Sequence, residues 1–191
     1  AEAIGKYLLD NNYLKKNKIL RNKINIISSG IYVITRSVPR NSYLTLKSIK
    51  VPTITSKPTQ ISHNIIKYSD LVLTMADNHR NAIIKNFNDI DQKKIFTLLE
   101  LSNIILYLQS ERIYRRKPKN YVKKVRELNL EFVKNKIYTL KNINRDVLVT
   151  TEELDIIDPH GMDLEDYLGI AKKIKDNIIT IFNYLFDNNF T

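Results

Sequence analysis

The sequence predicts an α/β fold built on a mainly parallel sheet. Three observations predict it: a continuous apolar run at 71–75, a second short apolar run around 95–99, and a C-terminal segment with clear helical periodicity. Strands that alternate with helices place ligand chemistry beyond the carboxyl ends of the strands. At 191 residues the chain is long enough to bury a core as one domain.

The opening "AEAIGKYLLDNN" repeats apolar residues at Ala1, Ile4, Tyr7 and Leu8, the spacing of a helix with one buried face. The pattern is already under way at Ala1 with no capping residue before it, so the expectation is that a segment precedes it. Next, "INIISSG" at 24–30 predicts a buried strand running into a tight turn at Ser28, Ser29 and Gly30. "NSYLTLKSI" at 41–49 predicts a short helix with Leu44, Leu46 and Ile49 partly inward. Pro52 and Pro58 then break an extended connection.

The run Leu71–Met75 suits a parallel strand covered on both faces, and Asp77 is placed to cap a helix continuing through Phe87. "KKIFTLLE" at 93–100 repeats the strand signal through Ile95, Phe96, Leu98 and Leu99. In the last helix Leu164, Leu168, Ala171, Ile174, Ile178, Ile181 and Leu185 share a face that is expected to pack on a sheet. Asp163 is its N-cap, with Asp166 three residues on.

Composition limits the chemistry. The chain has no cysteine, which excludes disulfides, thiolate metal sites and thiol catalysis by these residues, and its three histidines are scattered. No cofactor is implied. No apolar run is long enough to span a bilayer and no signal-peptide pattern is visible, so the expected location is cytoplasmic. Thirty-one Lys and Arg against twenty Asp and Glu give a net charge of +11, which favours anionic partners. The surplus concentrates in "RIYRRKPKNYVKKVR" at 112–126, with eight basic residues, no acid, and Tyr114 and Tyr121 interleaved. It lies within a basic helical insertion at about 102–146. Such a helix is a solvated face docked by its apolar stripe, a binding surface for nucleic acid or anionic lipid, or a contact for an acidic protein.

"DIIDPHG" at 155–161 is by itself a turn signal. Its company gives it more meaning. "AEAIGKYLL", "SSGI", "DLVLTM" with His79 four residues later, "KIFTL", and "DIIDPHG" leading into "LEDY" together resemble the low-molecular-weight protein-tyrosine phosphatase family, in particular its bacterial branch, which includes protein-arginine phosphatases. The resemblance covers roughly 1–100 and 150–190, and the basic stretch between is longer than the family usually has. It implies a Rossmann-like three-layer fold with sheet order 2-1-3-4 in a single phosphatase-like domain over 1–191. It also implies a phosphoric monoester hydrolase acting on phosphorylated protein, at phosphotyrosine or phosphoarginine.

The family's first strand and Cys-x5-Arg-Ser phosphate loop precede an Ala-Glu-Ala helix, whereas this sequence starts at Ala1-Glu2-Ala3. The expectations are that the central first strand is absent, that a gap or a different pairing separates 24–28 from 71–75, and that these residues alone are inactive. By resemblance Asp158 is the general acid of the Asp-Pro motif and Ser29 braces the phosphate loop from behind. His160 stands where the family generally places an aromatic beside the substrate. Asp155, outside the Asp-Pro motif, is expected to matter little. The alternative is a noncatalytic anion- or nucleic-acid-binding module using the 112–126 helix. Binding of that kind is expected to weaken steeply with added salt in a filter or shift assay, because each neutralised phosphate releases counterions. Salt-independent binding, or none, removes that role.

Overall fold

The computed structural model describes residues 1–33, 39–53, 57–114, 128–143 and 154–186, with only the backbone at 111–114. The eight helices among them are α1 (Glu2–Leu8), α2 (Lys18–Arg21), α3 (Arg40–Ser48), α4 (His63–Tyr68), α5 (Asp77–Asn86), α6 (Leu98–Tyr114), α7 (Leu130–Lys141) and α8 (Leu164–Phe186). Two strands, β1 (Val72–Thr74) and β2 (Ile95–Thr97), pair in parallel, with Val72 opposite Ile95 and Thr74 opposite Thr97.

Successive residues of a strand point to opposite faces, and β2 uses both. Ile95 joins a small cluster with Ile66 of α4 and Ile83 of α5. Phe96 enters the main core with Leu101, Ile104 and Ile105 of α6 and Ile178, Ile181 and Leu185 of α8. Helices therefore cover both sides of the pair, as the unbroken apolar runs predict. Leu98 and Leu99, read from sequence as strand, instead begin α6. The switch is made by a capping box: Thr97 Oγ1 accepts the Glu100 N–H (3.1 Å), and the Glu100 carboxylate accepts the Thr97 N–H (3.1 Å).

The capping pattern read at the last helix is present, with Asp163 accepting the Asp166 N–H at 3.0 Å. Its packing differs from expectation. The main neighbours of α8 are the helices α6, α3, α7 and α1 rather than the sheet, and Leu164 stays exposed. At its far end Lys136 of α7 lies buried between the rings of Phe132 and Tyr184 and donates to the Tyr184 carbonyl at 2.6 Å. That ammonium therefore satisfies a carbonyl near the C-terminus of α8. α1 runs on into a π-helical turn, Leu9–Tyr13, and Tyr13 sets its ring edge-on against Phe182 and donates to Asn183 Oδ1 at 2.6 Å.

The predicted strand at 24–30 does not form. Ile24 and Ile26 are half-buried, Ile26 lying against Gly5, while Ile27 is exposed. Residues 24–29 have no ladder partner among the described residues, so apolar content alone leaves them irregular. One isolated parallel bridge forms at the segment's last residue, Gly30 to Gln60, with Gly30 N–H donating to Thr59 O and Ile61 N–H to Gly30 O. Nothing pairs 24–28 with 71–75 among the described residues.

The 112–126 segment lies outside the described residues except for 112–114, which end α6. The helices on either side of it contribute to the main core: Leu101, Ile104 and Ile105 from α6, and Phe132, Val133 and Leu140 from α7. Ile181, 1% exposed in the C-terminal third of α8, tests this core. Ile181→Ala is expected to cost about 2–5 kcal/mol in urea unfolding, from lost transfer energy plus the cavity left behind. A cost below about 1 kcal/mol contradicts the packing described.

Candidate active site

Residues 154–163 lie across the carboxyl end of β1. Two hydrogen bonds fix them there. The Ile156 N–H donates to the Met75 carbonyl at 2.7 Å, and Asp155 Oδ1 accepts the Asp77 N–H at 2.7 Å. The first continues the line of β1 past its last paired residue. The second caps α5 from a distant part of the chain, because Ala76 is the N-cap residue and has no side chain to do so. Asp77 was expected to be that cap. Its carboxylate instead turns to Asn81 (2.7 Å) and Arg80, for a residue in the first helical turn cannot fold back to its own N–H.

Beyond the buried Ile156 the chain emerges to solvent. Asp158 is exposed, and its Oδ1 accepts the His160 N–H at 3.0 Å in an Asx turn. Met162 N–H then donates to Pro159 O at 2.9 Å, and Gly161 takes φ +84°, a left-handed conformation that a Cβ atom disfavours. Asn41 in the first turn of α3 donates to the Met162 carbonyl at 3.3 Å. The loop is thus tethered at both ends and presents one carboxylate at its tip.

Asp158 and His160 therefore share one turn, with both side chains outward. Ser29 is half-buried, next to the Ser28 that contacts the N-terminus of α1, and among the described residues no hydrogen bond joins it to Asp158 or His160. Its neighbour Ser28 makes the contacts there, donating its N–H (3.1 Å) and its hydroxyl to the Glu2 carboxylate, which also pairs with Lys6 at 2.6 Å. Asp155 and Glu2 both carry structure that the sequence reading passed over. The signal available for Asp155 was its place three residues before an Asp-Pro turn. Among the described residues no group of three or more His, Asp or Glu could hold a metal, and no helix is long and apolar enough to cross a membrane.

With the loop and sheet in place, the arrangement can be set beside known structures. The YwlE mutant of Bacillus subtilis superposes with a TM-score of 0.55 at 15% identity, over 94% of this chain and 84% of that one. The chain has the YwlE fold. The YwlE arginine phosphatase of Geobacillus stearothermophilus gives the same TM-score at 18% identity, over 94% of this chain and 81% of that one. No known family profile matches the sequence, and no curated protein matches it. The YwlE fold is helix-rich α/β here, organised on a parallel strand pair.

Glu2 provides a pH test of this end of the molecule. Partial burial pushes its carboxyl up, but the hydrogen bonds from Lys6 and Ser28 outweigh burial and leave it below its ordinary value of 4.5. A carboxyl lowered by folding stabilises the fold above the ordinary carboxylate range, and this contribution is lost as pH falls through the folded value. Glu2→Gln is therefore expected to flatten the fall in urea midpoint between about pH 5 and pH 3. An unchanged slope removes Glu2 from the account.

Proposed function

We propose that the chain is a low-molecular-weight protein-tyrosine-phosphatase-like phosphoric monoester hydrolase, acting on phosphotyrosine or phosphoarginine in proteins, with Asp158 as its general acid. One observation carries the reading. In a fold of the YwlE type, an exposed Asp-Pro turn follows directly on two residues, Asp155 and Ile156, that are held by paired hydrogen bonds at the carboxyl end of a parallel strand, where α/β folds place their chemistry. The neighbour from Geobacillus stearothermophilus is an arginine phosphatase, which supports the reaction class and leaves both phosphoresidues open. His160, in the same turn, would line the approach to the leaving group, and Ser29 would brace a phosphate loop from behind.

An acid alone does not hydrolyse a phosphomonoester. The reaction in this family's pattern needs a thiolate and a loop of N–H donors around the phosphoryl oxygens, and these 191 residues hold no cysteine. Tested as they stand, they are expected to be inactive on aryl phosphates. The domain reading is a single phosphatase-like unit over 1–191 with a basic helical insertion at about 102–146, a span that takes in most of α6 and all of α7.

The decisive experiment supplies the nucleophile. A fusion placing a strand and a Cys-x5-Arg-Ser loop in frame before Ala1 is expected to hydrolyse phenyl phosphate. In that fusion Asp158→Asn keeps the Asx turn and removes the proton, so the rate is expected to fall by about 10²–10⁴-fold. The loss is smaller with nitrophenyl phosphate, whose leaving group needs less protonation. Equal rates with and without the change make Asp158 a turn residue only. A fusion that folds but hydrolyses nothing favours the noncatalytic anion-binding alternative.

A further inference from the structure

We propose that Asp155 is a positioning residue for Asp158, and that Arg80 and Glu100 anchor it from the far side of the β1–α5 junction. The inference rests on the phosphatase reading above for its functional meaning, but its geometry is independent of turnover.

Asp155 and Asp158 are separated by two residues, and only Ile156 between them is buried. The position of the exposed tip therefore depends on what holds 155 and 156. Ile156 contributes a backbone bond to Met75 and a side chain in the main core. Asp155 contributes a charge-assisted bond to the first N–H of α5, where the helix end carries partial positive charge. A single backbone bond would leave the segment free to pivot about Met75. The second bond, to a residue two positions further along, removes that rotation.

The anchor continues inward. Asp77, whose N–H Asp155 receives, pairs through its carboxylate with Arg80. The same guanidinium donates to Glu100 Oε2 at 2.8 Å, and Glu100 is 5% exposed. That Glu100 oxygen also accepts the Thr97 N–H in the cap of α6. Three carboxylates, those of Asp77, Asp155 and Glu100, thus gather around the ends of β1 and β2, and Arg80 stands between two of them. Without its charge a buried carboxylate would lose its cation and Asp77 would no longer be held toward it, which is costly in a low-dielectric setting. The acid-bearing loop is in this way referred to both strands: to β1 through Met75 and Asp77, and to β2 through Arg80 and Glu100. Placement within a fraction of an ångström is what proton transfer in a transition state demands, so such a reference has a catalytic use.

The test uses the 191-residue chain and amide hydrogen exchange by NMR. Asp155→Ala is expected to speed exchange at the Asp77 and Ile156 amides on the order of 10- to 100-fold, while α8 amides from Ile178 to Leu185 stay unchanged. Residual dipolar couplings of residues 156–162 should also shift relative to those of α5. Asp155→Asn keeps an oxygen that can accept the Asp77 N–H and is expected to restore most of the protection. Arg80→Gln should loosen the same amides to a smaller degree. Unchanged exchange at Asp77 and Ile156 in Asp155→Ala overturns the proposal, as does failure of Asp155→Asn to rescue. If Asp155→Ala does not fold, the scalar coupling across the hydrogen bond from Asp77 N to Asp155 Cγ in the unaltered chain decides: its presence supports the clamp and its absence overturns it. In the fusion described above, Asp155→Ala is expected to lower kcat with KM unchanged and Asp155→Asn to recover it. A null effect of Asp158→Asn there would sink the acid assignment while leaving the exchange result standing, so the two failures are distinguishable.

Discussion

Two parallel strands of three residues each cannot hold themselves together in water, so every other feature of this structure depends on how that pair is covered and terminated. Coverage comes from the alternation of β2, which sends Ile95 toward α4 and α5 and Phe96 toward α6 and α8. Termination comes from threonines. Thr74 donates its hydroxyl to the Ala76 carbonyl at 3.0 Å as β1 ends, and Thr97 ends β2 and caps α6 in one residue. A β-branched residue suits the strand and its hydroxyl suits the cap, so Thr97 allows the chain to change period without an intervening loop. The result is a strand pair whose carboxyl ends are fixed to helix N-termini within one or two residues.

That economy of connection is also why the candidate acid sits where it does. A loop arriving from residue 154 meets a strand end with a free carbonyl at Met75 and a helix start with an uncapped N–H at Asp77, and it satisfies both. Unmet backbone groups at a strand-to-helix junction are costly when they are shielded from water, so the fold gains stability from accepting a distant segment there. The same contact that completes the α5 cap therefore delivers an Asp-Pro turn to the carboxyl edge of the sheet. Stability and placement of the site share one pair of hydrogen bonds.

The parts legible in the sequence were those decided locally. Val72–Thr74, Ile95–Thr97, the Asp163 cap and the α8 stripe all follow from apolar period and from a capping residue within three positions. The parts that were not legible depend on groups far apart in the chain. Residues 24–29 have a strand's composition but no partner among the described residues, and a strand is defined by pairing rather than by propensity. Asp77 looked like a cap because nothing local shows Asp155, 78 positions away, taking that role. Of the candidate site, Asp158 and His160 were legible as one turn, while the tethers that aim it, through Met75, Asp77 and Asn41, were not.

Long-range pairing also changes what the net charge of +11 means. Lys94 is buried, donates to the carbonyls of Lys67 (3.0 Å) and Ser69 (2.8 Å) at the end of α4, and is held below its ordinary value by that burial. Lys136 does comparable work at the end of α8, and Arg80 joins two strand ends through Asp77 and Glu100. These cations are spent on helix carbonyls and on carboxylates of the same chain, where oriented backbone dipoles compensate the cost of burying charge. They contribute to the count but offer little to an external anion. A charge total read from composition therefore overstates the attraction of the folded surface for phosphate groups. What remains for a partner is the fraction carried by side chains that no internal acceptor claims, and electrostatic arguments about substrate or nucleic acid need that fraction rather than the sum.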